Sequence, residues 1–178
     1  MTATSEEISD QPERASFSEL GLSETMLKSV RRARYETPTP VQAGMIPEAL
    51  LGKDIMAQAR TGTGKTAAFA IPILEQFSGG KKAGGPQALI LTPTRELAVQ
   101  VHDEMHKLAF GRRVRSIAIY GGKPIRQQIE RLQRGADIIV GTPGRTLDHL
   151  SRKTIDFRHL RTVVLDEADR MLDIGFRP

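Results

Sequence analysis

The chain has 178 residues, 39% of them apolar, enough for one globular domain with a real core. It carries 26 Lys and Arg against 21 Asp and Glu. It has no apolar run of about 18 residues to span a membrane, and its polar, acidic start lacks the blocks of a signal peptide. Zero cysteines exclude a disulfide scaffold and fit a reducing compartment, so a cytoplasmic location is expected.

In chain order, residues 1–15 are charged, poor in apolar side chains and without periodicity, which predicts a disordered acidic tail over 1–16 and a folded domain over 17–178. Residues 1–24 hold six acids (Glu6, Glu7, Asp10, Glu13, Glu19, Glu24) and one base, Arg14, leaving 15 acids against 25 bases beyond them, a net +10. A basic body implies a polyanionic partner, nucleic acid first, although a solvated Arg-rich surface has the same composition. Two helices follow. One is Ser23–Arg34 with Ser23 as N-cap; the other is Pro40–Leu51, with Thr39 as N-cap and Gly52 just past its end.

From there strands and helices alternate. Apolar runs at Asp54–Ala57, Ala88–Leu91, Val114–Tyr120, Asp137–Val140 and Thr162–Leu165 predict strands. Helical patterns cover Gly64–Gln76, Arg95–Ala109, Ile125–Arg134 and Arg145–Ser151, and Ser78–Pro86 reads as a mobile loop. Short Ile/Val/Leu-rich strands separated by helices predict an α/β fold, a central parallel β-sheet with helices on both faces. In such sheets ligands collect at the carboxyl edge.

Two motifs fall at that edge. Ala57–Thr66 reads AQARTGTGKT, a Gly-rich turn opening a helix. Its backbone N–H groups and the positive helix end can cradle phosphates. Its first position is Ala59 where the standard phosphate loop has Gly. Val163–Asp169 reads VVLDEAD, an apolar strand delivering carboxylates to the same edge. Lys65 can bridge terminal phosphates, Thr66 and Asp166 can hold Mg²⁺, and Glu167 can orient an attacking water. A chance Lys in a Gly-rich turn, or an acid pair capping the next helix, would account for either motif alone; the two together define a nucleoside triphosphate site. Four more segments lie at strand-to-helix junctions: Pro38–Gln42, Pro93–Ala98, Gly121-Gly122 and Thr142–Arg145. Each has a bland reading: Thr94 and Thr142 as caps, Gly122 as a turn, Arg95 and Arg145 as surface charges. What they share is small, hydroxyl or basic groups beside backbone donors, a combination suited to phosphate–sugar contacts.

With these segments in this order and Asp-Glu-Ala-Asp at Asp166–Asp169, the chain resembles the first RecA-like domain of a DEAD-box RNA helicase from Phe17 to its last residue. Ala59 is a familiar variant there. The resemblance implies an ATP hydrolase with Mg²⁺. Gln42 reads adenine, Phe17 packs near the base, and Tyr35 adds a stacking surface where many members open the adenine segment with Gly. Thr61, Gly62, Thr63, Gly64, Lys65 and Thr66 bind phosphates and metal. Lys65, Asp166 and Glu167 serve catalysis, and Asp166 with Thr66 the Mg²⁺. Pro93, Thr94, Arg95, Gly121, Gly122, Thr142, Pro143, Gly144 and Arg145 line an RNA backbone track, and Asp169 couples the sites. An amide matches adenine's donor and acceptor. With no Asn in the chain, the usual guanine-reading Asn/Asp segment is absent, which disposes of a GTPase.

The resemblance further implies a later strand bearing Ser-Ala-Thr and a second RecA-like domain beyond Pro178. The sheet is then expected to be incomplete at its C-terminal end, with an exposed edge. An arginine finger can be worth about 10³–10⁵ in rate, so weak or no ATPase and no unwinding are expected from these residues alone. Two alternatives stand beside the helicase: an ATP-gated RNA clamp or scaffold without productive unwinding, and a DNA-dependent motor, separable by a 2′-OH requirement. His102 and His106 share helical zinc spacing, but no Glu follows the first His, and both flank an apolar stripe of Leu97, Val101, Met105 and Leu108. No metal role is assigned to them. His149 and His159 carry no signal.

Overall fold

The structure, a computed structural model, describes residues 16–59, 62–77 and 84–173. The acidic tail, Thr61, most of the 78–86 loop and residues 174–178 lie outside the described residues.

Ser16 caps a short 3₁₀ turn, Phe17–Glu19, through a reciprocal capping box with Glu19. Ser23 caps α1 (Glu24–Arg32), accepting from the Met26 N–H at 3.3 Å. Thr39 precedes α2 (Pro40–Leu50), and Gly64 precedes α3 (Lys65–Gln76). Then come β1 (Ala88–Leu91), α4 (Arg95–Leu108), β2 (Ser116–Ile119), α5 (Ile125–Gln133), β3 (Ile138–Gly141), α6 (Pro143–Ser151), β4 (Thr162–Leu165) and α7 (Ala168–Asp173). The four strands form one parallel sheet in the order β2-β3-β1-β4. Leu89 lies opposite both Ile139 and Val163, and Ile117 opposite Ile139.

Strand period divides the core. Ala88, Ile90, Ile138 and Val140 face α1 to α4, where Met26, Ile46, Ile71, Leu74, Val101 and Met105 meet them. Leu89, Ile117, Ile119 and Ile139 face the opposite side, with Ile155 and the partly buried Leu132, Phe157 and Leu160. Helices therefore cover both faces of the sheet, as expected. α3 is buried continuously from Ala67 to Leu74, as a helix apolar all round must be.

The strand expected at Asp54–Ala57 does not form. The segment is irregular and exposed, with Met56 fully solvated, and it is separated from β4 by a cleft of about 410 Å³. A strand needs a neighbour to complete its ladder. A short apolar run records a capacity for pairing, and no described strand lies beside this one. β4 is accordingly an edge strand with Val163 and Leu165 exposed. α6 begins earlier than expected, at Pro143, because Thr142 holds the extended cap conformation and Pro suits the first helical position.

Candidate nucleotide and nucleic-acid site

The carboxyl ends of all four strands deliver singled-out segments to one edge. β4 ends at Asp166, β1 at Thr92-Pro93-Thr94, β3 at Gly141-Thr142 and β2 at Tyr120-Gly121. The order across the sheet is Gly-Gly, then Thr-Pro-Gly-Arg, then Pro-Thr-Arg, then the acids. Strands lie about 4.8 Å apart, so the first three segments occupy a strip roughly 10 Å wide with the acids along its flank.

The phosphate turn depends on two left-handed glycines, Gly62 (φ +83) and Gly64 (φ +88). Beneath it lies fully buried Gln42. Its amide oxygen accepts from the Thr39 N–H at 3.0 Å and its nitrogen donates to the Gly64 carbonyl at 3.2 Å. A Cβ on Gly64 would collide with that amide nitrogen, at a φ that side chains rarely adopt, so any other residue there is strained. Lys65 and Thr66 then open α3, and Lys65 and Asp166 line the same cleft from opposite sides.

Asp166 is buried, and burial lifts its carboxyl above the usual range against the pull of Lys65. Glu167 takes a left-handed backbone (φ +52), unusual for a residue with a side chain, and its carboxylate accepts from Arg170 at 2.9 Å. Asp169 is exposed on α7.

In the adenine segment, the left-handed position is Arg34 (φ +62) rather than Tyr35. Tyr35 packs edge-on against buried Phe17, centroids 6.3 Å apart, and donates to Glu104 of α4 at 2.7 Å. Burial and that carboxylate push its phenol pKa up.

On the other side, Thr94 caps α4, accepting from the Leu97 N–H at 3.2 Å. Exposed Arg95 lies against Gly122 (φ +81), whose missing Cβ leaves its guanidinium room. Arg145 donates to the Lys123 carbonyl at 3.1 Å. The structure therefore brings Arg95, Gly121-Gly122 and Arg145 together, although they lie on three different strand-to-helix turns.

Sequence reasoning passed over several residues. Buried Thr92 donates to the Thr94 carbonyl at 3.1 Å, tying the end of β1 to the cap of α4. Arg170 holds Glu167 from three positions along, a spacing that was readable. Gln128 and His149 are buried polar residues on amphipathic helices, and nothing in their sequence neighbourhood marked them. His102 lies against β2, its Nε2 3.2 Å from the Ser116 carbonyl.

A parallel sheet with a Gly-turn opening a buried helix and a buried acid at the same edge defines the class: a RecA-like P-loop domain. Residues 39–178 match the DEAD/DEAH box helicase family. The chain belongs to that family. It is 51% identical over 160 residues to the ATP-dependent RNA helicase CshA of Listeria monocytogenes, covering 90% of this chain and 30% of that protein. It is also 51% identical to the DEAD-box ATP-dependent RNA helicase CshA of Geobacillus kaustophilus, covering 34% of it. The crystal structure of a DEAD box protein from the hyperthermophile Methanococcus jannaschii superposes with a TM-score of 0.83 at 47% identity, over 90% of this chain and 44% of that one. The chain thus spans about a third of the curated relatives it matches.

Proposed function

We propose that these residues form the nucleotide-binding half of an ATP-dependent RNA helicase core, taking ATP with Mg²⁺ beside Lys65 and a single RNA strand along the neighbouring loops. The observation that carries this reading is the division of one sheet edge. Phosphate turn and buried acid flank the cleft, while three segments rich in backbone donors and Arg adjoin it.

Position supports each role. Lys65 and the N-terminus of α3 neutralise terminal phosphates. Thr66 and Asp166 would hold Mg²⁺: their all-oxygen donor set suits a hard cation, and Asp166 is a buried acid at the edge of the cleft that Lys65 also lines. The ion, when bound, screens the phosphate charge that builds as the bond breaks. Glu167 aims the attacking water, its direction set by a strained backbone. Gln42 reads adenine with the second hydrogen-bonding position of each amide atom; because its side chain is fully buried under the turn, the residues covering it must move aside for the base. Arg95, Arg145 and the Gly121-Gly122 amides contact RNA phosphates. Asp169 couples this site to a second RecA-like domain, and unwinding belongs to the intact protein.

A titration of the chain with fluorescent ADP and GDP in Mg²⁺, beside Gln42→Ala, tests the reading. ADP should bind about tenfold or more tighter than GDP, the effect of one mispaired hydrogen bond, and the variant should lose the preference. Equal binding of both nucleotides by the parent chain would refute the adenine assignment.

A further inference from the structure

α6, which carries the Thr142–Arg145 segment at its start, docks in an unusual way. Its buried residues are Thr146 and His149, both polar, while Leu147 and Leu150 face solvent. α5 likewise buries Gln128. Apolar contact is non-directional, so a helix seated on it can slide and rotate; hydrogen bonds between buried groups fix position and are costly to leave unmade.

The polar groups form one connected line. Gln128 Nε2 donates to the Tyr120 carbonyl at 3.0 Å, Gln128 Oε1 lies 3.3 Å from His149 Nε2, and His149 Nδ1 lies 2.8 Å from the Thr154 hydroxyl. The proton placement follows by elimination. The Tyr120 carbonyl only accepts, so the Gln128 amide nitrogen faces it and the amide oxygen faces His149. His149 Nε2 therefore carries a proton and, in the neutral ring, Nδ1 accepts; the Thr154 hydroxyl gives its one proton to Nδ1 rather than to the His149 carbonyl 3.0 Å away, which the Thr154 N–H already serves at 3.0 Å. The groups charged around this imidazole are Arg145 and Asp148 on its own helix and Arg152 at its C-cap; α5 presents the neutral Gln128, and the following loop the neutral Thr154. Burial, joined by Arg145, holds the imidazole pKa below its ordinary value, so the ring is neutral at neutral pH.

This line runs from Tyr120, the residue preceding Gly121-Gly122, through His149 in the last turn of the helix that begins with Thr142–Arg145, to Thr154 just past its end. We propose that Gln128, His149 and Thr154 form a buried positioning strut that locks the last turn of α6 against α5 and the Tyr120–Gly122 turn, which fixes the axis of the helix carrying Thr142–Arg145 at its start, so that the two segments meet an RNA backbone as one preset surface. The strut touches no RNA itself. It acts through Arg145 and the Gly121-Gly122 amides, and in that respect it rests on the RNA reading above. Arg145 to the Lys123 carbonyl closes the same junction from the outside.

The test compares the 178-residue chain with His149→Phe, which keeps the ring volume without its nitrogens, and His149→Gln, whose amide places a donor where Nε2–H stands. Fluorescent decauridine and fluorescent ADP are the probes. His149→Phe should bind decauridine about five- to tenfold more weakly, the loss of one or two net hydrogen bonds. Its ADP affinity should stay unchanged, and His149→Gln should recover most of the difference. Imidazole nitrogen NMR of the parent should show His149 protonated at Nε2 alone. Decauridine binding by His149→Phe at the parent's affinity, no rescue by Gln, or the opposite tautomer would each overturn the strut. If the parent chain does not bind decauridine, the RNA reading has failed instead, and the amide resonances of Gly121 and Gly122 decide. A shift in His149→Phe that Gln reverses upholds the strut; unmoved resonances overturn it.

Discussion

Glu167 and Gly64 both hold left-handed backbone conformations, at different cost. Glu167 holds φ +52 although a side chain in that region costs about 1–2 kcal/mol, and Arg170 fixes its carboxylate. Strain of this sort persists where the surrounding structure over-determines it, and here it falls on the residue next to Asp166, which lines the cleft with Lys65. Gly64 escapes the equivalent cost by having no Cβ. Gly64→Ala meets both a forbidden φ and the Gln42 amide, so urea denaturation should register a loss of about 2–4 kcal/mol, strain and overpacking together. A variant as stable as the parent would show that Gln42 swings clear and that the contact beneath the turn is loose.

Among the elements, β4 is the exposed one. Its outer edge has no described neighbour, and Val163 and Leu165 are 54% and 57% exposed. Unpaired N–H and C=O groups beside solvated apolar side chains form a template for another strand. Val163→Lys should therefore suppress concentration-dependent self-association of the 178-residue chain in sedimentation velocity. Identical sedimentation of parent and variant would mean that the edge does not drive association. At the far side of α3 a different device holds the element in place. The nearly buried Arg112 donates at 2.7 Å to the Leu74 carbonyl in the last turn, which also accepts from the Phe77 N–H at 3.3 Å, and pairs with Glu75 at 3.4 Å.

For the molecule as a whole, pH should reveal the buried imidazole. The folded-state pKa of His149 lies below its ordinary value, so the unfolded chain takes up a proton that the folded chain resists. The stability this contributes is fully present above the unfolded value of about 6.5 and is lost as pH falls through the folded pKa. Urea unfolding of the parent should weaken from pH 7 toward pH 5. Subtracting the His149→Phe curve isolates the effect from the remaining histidines and the carboxylates. Parallel curves would place His149 in solvent contact and contradict its burial.

How much of this was legible beforehand differs by residue. Ser23 as a cap and the strand-to-helix rhythm were readable because they rest on local sequence: a hydroxyl that reaches a nearby N–H, or apolar residues at a fixed period. The turn glycines were readable for the same reason, and so was the delivery of the acids to a strand end. What pairs with what was not local. Asp54–Ala57 has a strand's pattern and no described partner, while the ordering of β2, β3, β1 and β4 joins residues far apart in the chain. Gln42 under Gly64, Arg95 against Gly122, and the line from Tyr120 to Thr154 belong to that second group. The sequence by itself determined the family, the alternation of elements and the chemistry carried to one sheet edge, since these depend on residue type and spacing. Only the tertiary structure decided which buried polar groups meet, because a hydrogen bond between distant residues depends on the packing that brings them within about 3 Å.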